Sequence, residues 1–382
     1  MKELSEDKKR EILERARSRW TEGYAYEEDN RKRGLEALKF KTGDQWDDDV
    51  KQDRANRPML TINKLPQFVR RVVNEQRQSR PGIKIRGAGG GADNEIARTY
   101  EGLIRNIENQ SDFETICDDG LEKIVDCGVG AWRILTDFDE DLSFDPECKI
   151  ERIKNQYNVL VDPHAQKFDK SDKRWAFIGE TISWDEAKEE HGEKLTRTGF
   201  HEVPEGARHE GWYMKDGIRI AEYFELEKDT KWIALLSDGK VIDAPKKIEG
   251  KKVDKDEYFQ AFAEENGLRV MRTRKADTDK VMWYKITADD ILDHRELKGR
   301  YIPVVTVYGD VTVVDGKEIV DGLIRPAMDP MRMYNYFASA QVEGLGIQNK
   351  SPYIAAAEQV TPYQNDWKTA NTNNKSVLRY KH

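Results

Sequence analysis

Asp141, followed by Glu147-Cys148-Lys149, comes closest to a catalytic set in this chain. It has the Asp…Glu-x-Lys order in which two carboxylates hold Mg²⁺ and a lysine steadies an attacking hydroxide. That set would make the chain a Mg-dependent, nuclease-like DNA-processing protein using Asp141, Glu147 and Lys149. Glu186-Ala187-Lys188 and Glu249-Gly250-Lys251 repeat the Glu-x-Lys order, so charge density alone generates it. Asp47-Asp48-Asp49 offers carboxylates too, but neighbouring side chains do not converge easily on one ion. The glycine-rich run 87–91 lacks both the Lys-Ser/Thr of a phosphate-binding loop and the third spaced glycine of a dinucleotide fingerprint. His164, His191, His201 and His209 share no helical face or paired spacing. Cys117, Cys127 and Cys148 match no zinc or redox spacing and read as reduced core residues. No metal or cofactor is called, and no nucleophile, base and orienting group stand in a defensible arrangement.

The elements that would position any site begin with a central amphipathic helix. Leu65, Phe68, Val69, Val72 and Val73 recur at helical spacing, opposite Arg70, Arg71, Asn74, Arg77 and Gln78. Asn63 is a suitable N-cap, Pro66 falls in the first turn, and Arg80 before Pro81 marks the stop. Met59 to Ile62 and Ile83 to Ile85 read as short strands around it. The arginines Arg70, Arg71 and Arg77 are either a solvated face or a phosphate or subunit contact.

N-terminal to this unit, the pattern predicts one helix from Ser5 through Trp20 and another from Tyr26 to Phe40. C-terminal to it come helices over Ile96 to Gln110 and from Phe113 to Val125, then a strand over 131–137 and its return through Cys148 and Ile150. Tyr157 to Val161 and Trp175 to Ile182 are strands, and Ser183 caps a helix. From Trp212 the pattern turns to β: Ile218 to Leu226, Lys231 to Leu236, an Asp238-Gly239 turn, and strands Leu268 to Arg274 and Val281 to Ile286 around a charged loop. Asp254 starts a helix closed by Asn266-Gly267. Arg269, Arg272, Arg274 and Lys275 form the densest basic cluster of this half. They read either as charge protection of an exposed edge or as a docking surface for a protein or passing DNA. Asp329-Pro330 starts a last long helix whose polar side carries Arg332, Asn335 and Ser339.

With 382 residues, 37% of them apolar and 36% charged, the chain can bury cores for two or three domains beneath much hydrated surface. No run is long and apolar enough to predict a membrane span. The net charge of −8, with 72 acids against 64 bases, argues against tight binding of nucleic acid, which requires many neutralised phosphates.

The run RPMLTINKLPQFVRRVVNEQRQSRPGIKI at 57–85 resembles the portal proteins of short-tailed phages of the P22 type. GLIRNIE at 102–108, CGVGAWRI at 127–134, IKNQYNVLVDPHA at 153–165, SDKRWAF at 171–177 and GLIRPAMDPMRMYNYFASAQVEGL at 322–345 follow in matching order. The resemblance implies an α+β fold: a helical wing and body with a small sheet (1–211), a β-rich clip or stem (212–325), and a channel-side helix returning to the body (326–382). It implies a structural protein instead of an enzyme, assembling as a homo-oligomeric ring, usually a dodecamer, at one capsid vertex of the virion after assembly in the host cytoplasm. The implied partners are the terminase packaging motor, scaffold and coat proteins, a tail adaptor, and double-stranded DNA passing through weakly contacted. No membrane or cofactor is implied. On this reading Arg332, Asn335, Ser339 and Lys350 are channel candidates, the Arg269 to Lys275 cluster is a docking surface, and Arg70, Arg71 and Arg77 are subunit contacts. Family members continue well past residue 382, so the resemblance also predicts a chain short at its C-terminus.

Overall fold

The computed structural model describes residues 4–55, 57–79, 82–87, 94–138, 146–192, 212–214, 217–245, 247–248, 251–252, 254–348, 354–370 and 377–381. The fold is α+β with antiparallel sheets. Its contacts divide it into two compact units, one of residues 1–31, 82–120 and 129–308, the other of 32–81, 121–128 and 309–382.

The first unit is built on a seven-stranded sheet. Its main path runs β11 (Ile291–Leu297), β10 (Val270–Ile286), β6 (Gly217–Leu236), β4 (Trp175–Ser183), β3 (Val159–Val161), and β5 (Tyr213–Met214) and β7 (Val241–Ala244) also pair with β6. Alternation along the strands sends Phe177, Tyr223 and Tyr284 to one face. There they form a core with Ile12, Leu13 and Ala16 of α1 (Glu6–Thr42). Ala176, Ile178, Phe224 and Trp283 point to the other face and join Ala131 and Val304 of a second sheet, ordered β12 (Val304–Tyr308), β1 (Val129–Phe138), β2 (Pro146–Arg152). The pairing of β4 with β6 carries one sheet straight across position 211/212, where the sequence suggested a boundary.

Two expected breaks are absent. Residues 227–230 and 275–280, expected as a gap and a charged loop, are continuous strand, because β6 and β10 pair from Ala221–Ile286 to Leu236–Val270. Opposite charges sit directly across this stretch, Glu227 facing Lys280 and Lys228 facing Asp279, and such cross-strand pairs stabilise a ladder that composition alone disfavours. Likewise α1 is one 37-residue helix, not two. Gly23 falls in its middle because a Cβ there would lie 2.8 Å from the Trp175 ring, so close packing, not flexibility, accounts for that glycine.

The second unit gathers Ala37 and Phe40 of α1, Leu65, Val69 and Val73 of α3 (Leu65–Gln78), Val125 of α5 (Phe113–Cys127), and Ile324 and Met328 of α8 (Ile324–Gln348) into one core. α8 begins five residues before the predicted Asp329, pulled back by the buried Ile324 and Met328, so that Pro330 lies inside the helix. The short helix α2 (Asp48–Asp53) and the hairpin β13–β14 (Asp310–Val314, Lys317–Asp321) complete this unit's main elements; Asp315 and Gly316 turn the hairpin with φ of 49° and 77°, the type I′ geometry an Asp-Gly pair favours. Gly128 has φ 86°, and a Cβ there would lie 2.7 Å from the Asp321 carbonyl carbon, so no other residue fits. Residues 59–62 and 83–85, expected as strands, join no ladder. The remaining helices are α4 (Asn94–Gln110) and α6 (Trp184–His191) in the first unit, α7 (Lys255–Glu265) beside β6 and β10, and the short α9 (Ala357–Val360) and α10 (Gln364–Lys368).

Candidate functional site

The polar side of α8 is where sequence and structure part most sharply. Asn335 and Ser339 are both 0% exposed. The Ile62 amide donates to Asn335 Oδ1 at 2.9 Å, and the Leu60 amide donates to Ser339 Oγ at 2.9 Å. Asn335 Nδ2 in turn donates to Gln45 Oε1 at 2.6 Å, and Gln45 Nε2 donates to the Phe40 carbonyl at 3.1 Å. These two side chains therefore replace a strand partner for residues 59–62, which explains why that stretch forms no ladder, and both channel candidates are spent on hydrogen bonds inside the subunit.

Arg332 is half-buried over the Phe40 ring and bound to Glu36 at 3.3 Å, Asp47 at 3.2 Å and Asp329 at 3.2 Å. Burial alone would raise Glu36, but the hydrogen bonds and charges of Arg325 and Arg332 outweigh it and hold its carboxyl below the usual range. Arg332 is thus neutralised within its own chain. Lys350 lies outside the described residues.

Turned the other way, α8 exposes Met333 at 61%, Phe337 at 60% and Leu345 at 64%. Over 332–339 its polar side is inward and its apolar side outward, the reverse of an ordinary surface helix and of the first turns of α8 itself, where Ile324 and Met328 are buried. A similar apolar edge persists on α3, where Leu65, Val69 and Val73 are buried but Phe68 and Val72 are exposed. The predicted contact residues Arg70, Arg71 and Arg77 are exposed on this helix, Arg71 pairing with Glu75 at 3.3 Å and Arg77 touching Asn74 at 3.5 Å. Asn63 serves the start of α3, accepting from the Leu65 amide at 3.3 Å while donating to the Lys41 carbonyl at 2.6 Å. The stripe of Leu65, Phe68, Val69, Val72 and Val73 is wider than one partner covers, and that width is the sequence signal of the exposed apolar edge.

Arg269, just before β10, and Arg272, Arg274 and Lys275 within it are all exposed, with Arg272 and Arg274 on one face of the strand and Lys275 on the other. Of the nuclease-like set, Asp141 lies outside the described residues, while Glu147 and Lys149 sit on β2 opposite Asp137 and Leu135. Among the described residues, no three metal-ligating groups converge. An open cleft of about 430 Å³ is lined by Arg133, Glu151, Glu190, Glu222 and Lys285. Its charges satisfy one another: Arg133 Nε donates to Glu151 at 2.6 Å, Arg133 also reaches Glu222, and Trp283 Nε1 donates to Glu222 at 2.8 Å. The buried Tyr223 and Tyr284 hydroxyls are pushed above the ordinary phenol value by burial, with nearby Glu225 and Glu227 adding to it, so they remain protonated at neutral pH. Glu225 itself is held by Arg15 at 3.0 Å and Arg19 at 2.7 Å. Cys127 is buried, Cys117 and Cys148 are partly so, and all three are free thiols.

A family model described as phage P22-like portal protein matches residues 17–382. A curated portal protein of Acyrthosiphon pisum secondary endosymbiont phage 1 is 26% identical over 365 residues, an overlap that covers 91% of this chain and 49% of that protein. The chain spans about half the length of the curated relative it matches. These matches show that the chain belongs to the phage P22-like portal protein family.

Proposed function

We propose that this chain is a portal subunit, forming with further copies a ring at one capsid vertex through which viral DNA is packaged and ejected. The single observation that carries this is the family match from residue 17 to residue 382. The charge pattern supports it: a chain of net charge −8 does not grip a duplex, and weak contact lowers the barrier to each step of translocation. The packaging motor, scaffold, coat and tail-adaptor proteins are the partners of this reading, the virion is its location, and a ring of twelve is its geometry. The long ribbon of β6 and β10 with its helix α7 corresponds to the clip, its Arg269 to Lys275 edge to a docking surface, and the exposed face of α3 with Arg70, Arg71 and Arg77 to a subunit contact. Nuclease chemistry through Asp141, Glu147 and Lys149 is not supported.

Electron micrographs of the purified protein with Mg²⁺ and linear duplex test this directly. Annular particles of one subunit number beside intact DNA are expected. Absence of rings at every protein concentration, or Mg²⁺-dependent cleavage that Glu147→Ala abolishes, would overturn it.

A further inference from the structure

Strands β6 and β10 run well past the sheet that anchors them. β4 accompanies β6 only to Glu225, and β11 accompanies β10 only from Val281. Residues 226–236 and 270–280 therefore stand as a two-stranded ribbon, roughly 35 Å long at the rise of an antiparallel strand. β7 adds to it along 232–235 of β6, on the side away from β10. Among the described residues, nothing pairs with the outer edge of β10 over 270–280 or with the outer edge of β7. Each copy thus carries two open edges on opposite sides of one ribbon, with Met271 63% and Val241 60% exposed along them. Open edges of this kind are templates for another strand.

Charge decides which strand fits. Over 270–280 the β10 edge carries Arg272, Arg274, Lys275 and Lys280 against Asp277 and Asp279, so two β10 edges facing one another would set a net positive charge against itself. β7 reads Val241-Ile242-Asp243-Ala244, with one acid and no base. A β7 to β7 contact would make only a dimer and leave the longer β10 edge bare. Pairing β7 of one copy with β10 of the next engages both edges in every copy, β7 along its whole length and β10 along part of its own, and it is heterologous, the kind of contact that closes into rings.

We propose that this contact joins neighbouring subunits: β7 of one copy adds to the free edge of β10 in the next, so that the ribbons form one continuous sheet around the ring. The proposal rests on the ring reading above and names the surface through which its copies meet. β7 and β10 are each antiparallel to β6 and so run the same way, which makes the new pairing parallel.

The test is crosslinking with a short bifunctional thiol reagent in Ile242→Cys combined in turn with Thr273→Cys and Lys275→Cys, two positions that cover the register. All three side chains are at least partly exposed. A ladder of covalent multimers ending at the full ring is expected from a double variant and not from any single one. Rings visible by electron microscopy that yield no ladder from either double variant would overturn the contact while leaving the ring intact. A dimer from Thr273→Cys or Lys275→Cys alone would show β10 pairing with itself and overturn it too. Protein that forms no rings under any condition defeats the contact together with the ring reading.

Discussion

Asn335 holds the Ile62 amide and the Gln45 side chain in a site from which water is excluded. Removing its amide leaves both partners buried and unpaired, which costs more than a hydrogen bond is worth in water. Asn335→Ala should lower the unfolding free energy by about 2–4 kcal/mol in urea titrations, counting two stranded groups at the usual penalty each. An unchanged midpoint would contradict this account of residues 59–62. Lys173 offers a second residue-scale test. Burial pushes its ammonium down to about 8, against the pull of Asp169 and Asp172. In the unfolded chain it titrates near 10.5. Between those values the unfolded state binds more protons, so this group's contribution to stability rises with pH across the window. Lys173→Met removes that contribution, and the stability gap between variant and parent should shift in the parent's favour as pH is raised from 8 to 10.5. A pH-independent gap would refute it. Neither residue announced its role in the sequence: Asn335 was legible as a polar position on α8, but which way that side faces depends on residues about 270 positions away.

At the scale of elements, α8 and the β6–β10 ribbon show what periodicity reveals and what it leaves open. The helical spacing of Met333, Phe337, Ala338 and Val342 predicts a helix, and a helix forms. Periodicity cannot say that the core of the second unit would take Ile324, Met328, Asn335 and Ser339 and leave Met333 and Phe337 outside. Phe337 makes no contribution to that core, so Phe337→Ser should leave the thermal midpoint of the separated subunit unchanged while reducing assembly in sedimentation profiles. Equal assembly of variant and parent would mean that this face is not used between copies. The ribbon makes the complementary point. The charged stretch 275–280 lacks apolar alternation and reads as a loop, yet it is strand, paired with 227–232 and supported by opposite charges where Asp279 faces Lys228 and Lys280 faces Glu227. Local turn chemistry was far more legible: Asp238-Gly239, Asn266-Gly267 and Asp315-Gly316 all turn where expected, with Gly239, Gly267 and Gly316 at positive φ. Ser183 and Asp254 likewise cap helices through their own side chains.

For the whole molecule, charge sets the expected relation to DNA. Arg332 is paired with three acids, the cleft of Arg133 and Glu222 is lined by five acids against four bases, and the total is −8. Linear duplex should therefore show no retention in gel shifts near physiological salt, and any weak binding at low salt should vanish as salt is raised. Salt-resistant binding would contradict the weak-contact mechanism. Family, fold class and turn positions follow from the sequence by itself, because each depends on neighbours within a few residues or on an ordered series of motifs. Which face of each helix is buried, that two strands run unbroken through charged segments, and that no other described strand pairs with the outer edges of β10 over 270–280 and of β7 were decided only by the tertiary structure. Those outcomes depend on partners far apart in the chain, whose side chains meet or fail to meet only once the chain has folded.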